Sequence, residues 1–290
     1  MGICKSKSES ESKKIKISKN SSTIEGILYI QTEEFKEEKY IQLIEFTSVE
    51  GNEPKDYNED IYIFLNKKEI KINPINNSYR IPRGYFKKKG EHDIKIIINP
   101  RISYISFQNN SNLLSVDLSK LKISNIKSMH KMFLGCTTLE KIKGINDLNT
   151  SNIEDMSSMF EKCHNLENID LSSLDTSNVE NMELMFNECP NLKEIKGITN
   201  FKTSKVNNMH GMFSNCTKLE YIDLSEFDTS NTTNMKRMFY NCANLKQVNG
   251  LNDMFNVSKD VKMDEMLYGC KNLKDIDLSQ LDPKIIGEQN

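Results

Sequence analysis

The sequence predicts an α/β fold, a solenoid of about seven stacked units, each a short parallel strand plus a short helix, preceded by a small β-rich domain. Three observations carry this expectation. Six cysteines, Cys136, Cys163, Cys189, Cys216, Cys242 and Cys270, recur every 26 to 28 residues. An apolar pattern of helical period precedes each of them, and an alternating pattern of strand period follows. The chain before the first unit carries β-branched runs with no repeat.

Residues 1–22 read as a disordered tail. The opening MGICKS meets the M-G-x-x-x-[ST] pattern of N-myristoylation through Gly2 and Ser6, since the acyl chain goes on the α-amine that removal of Met1 frees. One such chain holds a protein only marginally, with a partition constant of roughly 10⁴ M⁻¹, so stable attachment takes a second signal. Cys4, the one cysteine outside the repeat, is placed for palmitoylation. Lys5, Lys7, Lys13, Lys14, Lys16 and Lys19 outnumber Glu9 and Glu11 and favour anionic lipid. The tail thus predicts a peripheral, lipid-anchored protein on the cytoplasmic face of a membrane. No apolar run reaches the ~18 residues of a spanning segment, and the N-terminus lacks the apolar stretch of a secretory signal.

Residues 23–101 predict five or six strands, in runs such as IEGILYI, YIQLIEF, DIYIFLN and HDIKIII separated by Gly, Pro, Asn and charges. A domain here would cap the first repeat, whose apolar end is otherwise exposed.

Residues 102–282 carry the repeat. Met stands seven and four positions before each Cys, and Phe133, Phe160, Phe186, Phe213 and Phe239 stand three before it, with Leu267 in the last unit. This is the apolar stripe of a short helix. Ser128, Asp155, Asn181, Asn208 and Asn234 stand at its start and are good N-cap types, whereas the last unit has Lys262. After each Cys, stretches such as LEYIDLS alternate as a strand does. An earlier, degenerate copy runs through Phe107, Asn110, Leu113 and Val116. Such a unit cannot bury its own apolar face and must stack on neighbours. Met and reduced Cys then serve as adaptable core. Metal or redox chemistry is the alternative for the cysteines, but nothing basic recurs beside them to favour the thiolate. Residues 283–290 read as a C-terminal tail.

Two positions alternate over pairs of repeats. After the conserved Ile or Val come, in turn, Lys143, Asp170, Lys196, Asp223, Asn249 and Asp277, followed by Gly144, Leu171, Gly197, Leu224, Gly250 and Leu278. Strands lie ~4.8 Å apart, so the charge alternation sets opposite signs side by side and fixes repeat order. Two positions earlier, the same face carries Lys141, Asn168, Glu194, Tyr221, Gln247 and Asp275. These follow no structural rule, as befits a partner-binding surface.

Segments such as LDTSNVENMELMFNECPNLKEI and FDTSNTTNMKRMFYNCANLKQV resemble the BspA-like class of leucine-rich repeats, found in bacterial surface proteins and expanded in protists. The resemblance covers about residues 102 to 282. It implies a curved leucine-rich-repeat solenoid with parallel strands, used for binding, mostly of other proteins.

Charge nearly cancels, with 39 basic and 41 acidic residues, and no basic footprint for nucleic acid stands out. No phosphate-cradling Gly-rich loop, H-E-x-x-H or G-x-S-x-G occurs, and the four His are dispersed, His130 and His210 at one repeat position where exposure is expected. The expectation is a protein that is not an enzyme, needs no metal or cofactor, and acts as a lipid-anchored scaffold. Its partners would be a protein, through the repeat surface, and a membrane, through the acylated tail. The alternative is an adhesin-type binding protein, displayed or released by unconventional export.

Overall fold

The computed structural model describes residues 22–30, 40–48, 61–70, 78–82, 90–98, 102–124, 126–255, 260–274, 276 and 281–287. Short strands dominate. Six lie in the N-terminal third: β1 (Ser22–Ile30), β2 (Tyr40–Ser48), β3 (Ile61–Leu65), β4 (Lys68–Ile70), β5 (Ser78–Pro82) and β6 (Gly90–Ile98). They are followed by β7 (Ile102–Ser106) and β8 (Leu113–Lys120), and then by three-residue strands β9 (Lys141–Lys143), β10 (Asn168–Asp170), β11 (Glu194–Lys196), β12 (Tyr221–Asp223) and β13 (Gln247–Asn249). One six-stranded sheet, in the order β4-β3-β6-β1-β8-β9, joins the N-terminal third to the first repeats, and β5-β2-β7 form a second sheet. The first repeat strand is therefore covered by β1, which runs antiparallel to β8. Strands β3 and β4 close through Asn66 and Lys67, both with positive φ (49° and 67°), the pattern of a type I′ hairpin turn. Asn66 latches the turn onto β6: its amide donates to the Asp93 carbonyl (2.9 Å) and its Oδ1 accepts the Asp93 amide (3.0 Å).

The short helix expected before each Cys is not formed; two successive turns replace it. Met132 donates to the Met129 carbonyl and Cys136 to that of Phe133 (3.1 and 3.0 Å). Lys131 and Gly135, the third residues of these turns, have φ of 58° and 69°, as type II turns require. The intervening amides of Met129, Lys131, Phe133 and Gly135 donate to the next unit, to the carbonyls of Asp155, Ser157, Met159 and Glu161 (2.8–3.0 Å). An α-helix would spend its amides internally and leave nothing to bond the neighbour. Alternating turns satisfy both demands, giving the amides of Met129, Lys131, Met132, Phe133, Gly135 and Cys136 each a partner. The predicted cap residues keep part of their role. Asp155, Asn181 and Asn208 accept the amide two residues on (2.9–3.0 Å), while their backbones bridge to one another in a parallel column from Ser128 to Lys262.

The apolar stripe is buried as its pattern requires. Phe107, Phe133, Phe160, Phe186, Phe213 and Phe239 stack ring on ring, with centroids 5.3–5.8 Å apart. Each repeat Cys donates its thiol hydrogen to the Phe carbonyl of the preceding unit, as Cys189 does to Phe160 (3.0 Å) and Cys216 to Phe186 (3.2 Å). Burial pushes the Cys136, Cys189 and Cys270 thiols up to about 12 and raises those of Cys163, Cys216 and Cys242 as well. The thiolate that metal or redox chemistry would need is thereby disfavoured. A second column comes from buried threonines. Thr150 Oγ1 donates to the Asp175 carbonyl and accepts the Asp175 amide, and Thr203 does the same with Asp228.

The two-repeat rhythm has a backbone cause. Strands 26 residues apart pair in parallel, β8 with β9, β10 with β11 and β12 with β13. Across the 27-residue steps, from β9 to β10 and β11 to β12, no strand pairing occurs among the described residues. The extra residue belongs to a turn that begins at Gly144, Gly197 or Gly250 (φ 75°, 82° and 82°) and runs into 3₁₀ turns at Ile145–Asp147 and Ile198–Asn200, or into helix α1 (Leu251–Met254). At Gly197 a Cβ would lie 2.2 Å from Ser172 Cα. Gly197→Ala is therefore expected to cost about 3 kcal/mol, from left-handed backbone strain plus the clash, read as a lowered midpoint in chemical denaturation.

At the far end, residues expected as a tail form helix α2 (Pro283–Ile286), with Asp282 as its N-cap. The carbonyls of Lys284 and Ile285 accept the amides of Glu265 and Leu267 (2.6 and 3.0 Å), the same donors that each earlier unit offers to its successor. Helix α2 thus closes the array and buries Ile285.

Candidate functional site

The short strands are too brief to bury both faces. Their central residues (Ile169, Ile195, Ile222 and Val248) point into the core, and the residues on either side stand outward. Three outward rows run across the array. The row after the central residue is cross-linked within each strand couple. Lys143 Nζ lies 2.7 Å from Asp117 Oδ2, Lys196 Nζ lies 2.6 Å from Asp170 Oδ2, and Asn249 Nδ2 lies 3.3 Å from Asp223 Oδ2. The expected register ladder is thus present within each couple, whereas no strand pairing carries it across the 27-residue steps among the described residues. Asp117, Asp170 and Asp223 also accept the amides of Ser119, Ser172 and Ser225 two residues on. Partial burial works against ionised Asp117, but Lys143 and Ser119 hold it at about 2. Lys196 and Ser172 likewise hold Asp170 well below the usual carboxylate range. The row just before the strands is locked the same way in two of the three couples, by Glu167–Lys193 (2.8 Å) and Glu220–Lys246 (2.6 Å). Exposed pairs of this kind contribute about 0.2–1 kcal/mol each, enough to select register but little more.

The row between them is different. Lys141, Asn168, Glu194, Tyr221 and Gln247 are all exposed, and among the described residues neither Lys141 nor Glu194 forms an ion pair with a neighbouring strand. Tyr221, at 48% exposure, is the exposed large apolar side chain of the described residues. It is oriented by polar neighbours: its hydroxyl accepts from Asn249 Nδ2 (2.7 Å), and Gln247 donates to Asn249 Oδ1 (2.9 Å). Five of the six residues predicted for this surface thus share one row, flanked by the pairs Lys143–Asp117 and Lys196–Asp170 on one side and Glu167–Lys193 and Glu220–Lys246 on the other. The sixth, Asp275, lies outside the described residues, as do Gly2, Cys4 and the lysines Lys5, Lys7, Lys13, Lys14, Lys16 and Lys19.

At its β9 end the row meets a cavity of about 810 Å³, where Ser115 and Lys141 of the repeat strands face Phe64 and Ile97 of β3 and β6. The repeat pattern holds no trace of this cavity, because it arises from a pairing order that places β1 between β6 and β8. The histidines also depart from expectation. His130 and His210 are half-buried, with Nδ1 2.7 Å from Ser157 Oγ and 2.8 Å from the Lys236 carbonyl, and so tie neighbouring units. Among the described residues no group of three or more His, Cys, Asp or Glu is placed to hold a metal ion, and no helix is long and apolar enough to cross a membrane.

No curated protein and no solved structure matches the chain. Residues 103–197 and 170–281 each match one family description, and together these matches span most of the repeat array and more than half of the chain. The Cys-centred units and their cross-unit bonding are what that match covers, and the chain belongs to the family described as Mycoplasma protein of unknown function, DUF285.

Proposed function

We propose that this protein is a non-catalytic, lipid-anchored interaction module: a leucine-rich-repeat solenoid of the BspA-like class that presents its exposed strand row to a protein partner at the cytoplasmic face of a membrane. The observation that carries the reading is the middle row. Most charges in the rows on both sides are paired across a strand couple, as in Glu167–Lys193, Lys196–Asp170 and Glu220–Lys246, while Lys141, Asn168, Glu194, Tyr221 and Gln247 vary in chemistry along a surface held by backbone bonding. A pre-organised surface loses little freedom on binding, so a modest number of contacts yields useful affinity. Tyr is among the residue types enriched where binding energy concentrates, and Tyr221 sits within that row. The solenoid itself is supported by parallel bonding repeated at 26- and 27-residue offsets through successive units. The membrane part rests on the MGICKS opening and the lysines that follow it.

Proximity labelling from the full-length protein identifies the partner, and two variants then test the reading. Tyr221→Ala with Glu194→Ala is expected to keep the parental unfolding curve and to weaken capture of that partner by about tenfold or more. Unchanged capture removes the row from the proposal. Gly2→Ala is expected to move the protein from the membrane to the soluble fraction. Removal of the protein from intact cells by external protease would replace this reading with the adhesin alternative.

A further inference from the structure

We propose that the exposed strand row receives an α-helix of the protein partner, laid along the row. It sets an acidic residue against Lys141, a basic residue seven positions away against Glu194, and an apolar residue three or four positions further against Tyr221. The proposal rests on the partner-binding reading of the row and names the form and chemistry of what binds there.

Spacing is the first observation. The rings of successive units stack 5.3–5.8 Å apart, and paired strands lie ~4.8 Å apart. Lys141, Asn168, Glu194 and Tyr221 take the same outward position on β9, β10, β11 and β12, so the row offers one side chain at each such step. An α-helix returns to one face every ~5.4 Å, whereas a strand does so only every ~6.7 Å. From Lys141 to Tyr221 a partner strand drifts out of step by roughly 3–6 Å, and a helix stays within about 2 Å. One stripe of a helix, at i, i+3 or i+4, i+7 and i+11, therefore meets four successive strands one for one.

Charge is the second observation. Lys141 and Glu194 are exposed, and among the described residues neither belongs to an ion pair; Lys143 and Lys196, two residues after each, are held by Asp117 and Asp170. The two charges have opposite signs and stand two units apart, with polar Asn168 between them. Helix residues seven positions apart are ~10.5 Å apart along the axis, which matches two units. The third observation is Tyr221. Its hydroxyl accepts from Asn249 Nδ2 (2.7 Å), which orients the ring at the next step of the row, and at 48% exposure it has surface left for an apolar side chain.

A random-peptide display library panned on the full-length protein tests this. Enriched peptides are expected to carry Asp or Glu and Lys or Arg seven positions apart, with Leu, Ile, Met or Phe three or four positions beyond the base. Proline placed at the centre of such a peptide is expected to weaken it by about tenfold or more, because it breaks a helix. Exchange of the row charges, Lys141→Glu with Glu194→Lys, is expected to leave the unfolding curve unchanged and to weaken the parental peptides by about tenfold. Panning on that variant is expected to enrich peptides in which acid and base have traded places. Peptides that tolerate proline, that repeat every second residue or that ignore the charge exchange overturn the helix, as does a panning that enriches nothing. If Tyr221→Ala with Glu194→Ala still weakens capture of the natural partner, the row stands and only the helix falls; if capture is unchanged, the row falls with it.

Discussion

Phe186→Ala is expected to cost about 3–5 kcal/mol, the range for truncating a fully buried aromatic side chain. Phe186 is completely buried in the middle of the ring column, 5.3 Å from the Phe160 centroid and 5.8 Å from that of Phe213. Removing it leaves a cavity that the neighbours cannot close. Phe160, Phe213 and the flanking Met182 and Met185 belong to units held in place by backbone bonds of their own, such as Phe186 N–H to the Met212 carbonyl (2.9 Å). Two stacking contacts are lost as well, each worth about 0.5–1.5 kcal/mol beyond area. Phe186→Leu copies what Leu267 does in the last unit and is expected to cost roughly 1–2 kcal/mol, because most of the volume is kept. Guanidinium denaturation followed by circular dichroism reads both. A loss below about 1 kcal/mol for the Ala variant would mean that cross-unit backbone bonding, and not the ring column, holds the array together.

The second large effect is alkaline unfolding. The Cys136, Cys189 and Cys270 thiols are pushed up to about 12 by burial, whereas an unfolded thiol ionises near about 8.5. A raised acid contributes stability that is fully present below the unfolded value and is lost as pH rises toward the folded one. The window is therefore about pH 8.5 to 12, with about 1.4 kcal/mol lost per pH unit for each such thiol. Tyr and Lys also titrate there, so the measurement is a difference. In Cys189→Ser the hydroxyl keeps a donor facing the Phe160 carbonyl, which the thiol reaches at 3.0 Å, and it does not ionise. Between about pH 9 and 11 its stability is expected to fall less steeply than the parent's by about 1.4 kcal/mol per unit. Parallel slopes would show that the Cys189 thiol meets water in the folded protein.

What the sequence revealed was periodic, and what it concealed was local geometry. The cysteine spacing, the Phe and Met positions and the cross-strand Lys–Asp pairs are all properties of stacking, and stacking writes itself into the sequence once per unit. The helix expectation failed because an apolar pattern at i, i+3, i+4 and i+7 fits two successive turns as well as it fits a helix. The left-handed positions would have told them apart, but they carry Lys131, Ser158, Leu184, Arg237 and Glu265, with Gly211 the glycine at that point. At the second turn Gly135, Gly269, Asn215 and Asn241 show the usual turn chemistry, while Lys162 and Glu188 do not. The predicted row was legible because its neighbours obeyed a rule that it did not. The adjoining cavity was not, since it depends on β1 of the N-terminal third pairing with β8 of the first repeat.

The pairing of strands by twos also limits how such a chain can grow. Asp117 meets Lys143 and Asp170 meets Lys196 within couples, and each couple is followed by the glycine that opens the longer step. Loss of a single unit would set like charges side by side and place a glycine turn where the next strand must bond. Loss or duplication of a couple would leave every contact in kind. Changes in copy number should therefore survive selection in even steps, so that relatives of different length would differ by whole couples. The heritable module is then a pair of repeats, and its length is one 26-residue step plus one 27-residue step.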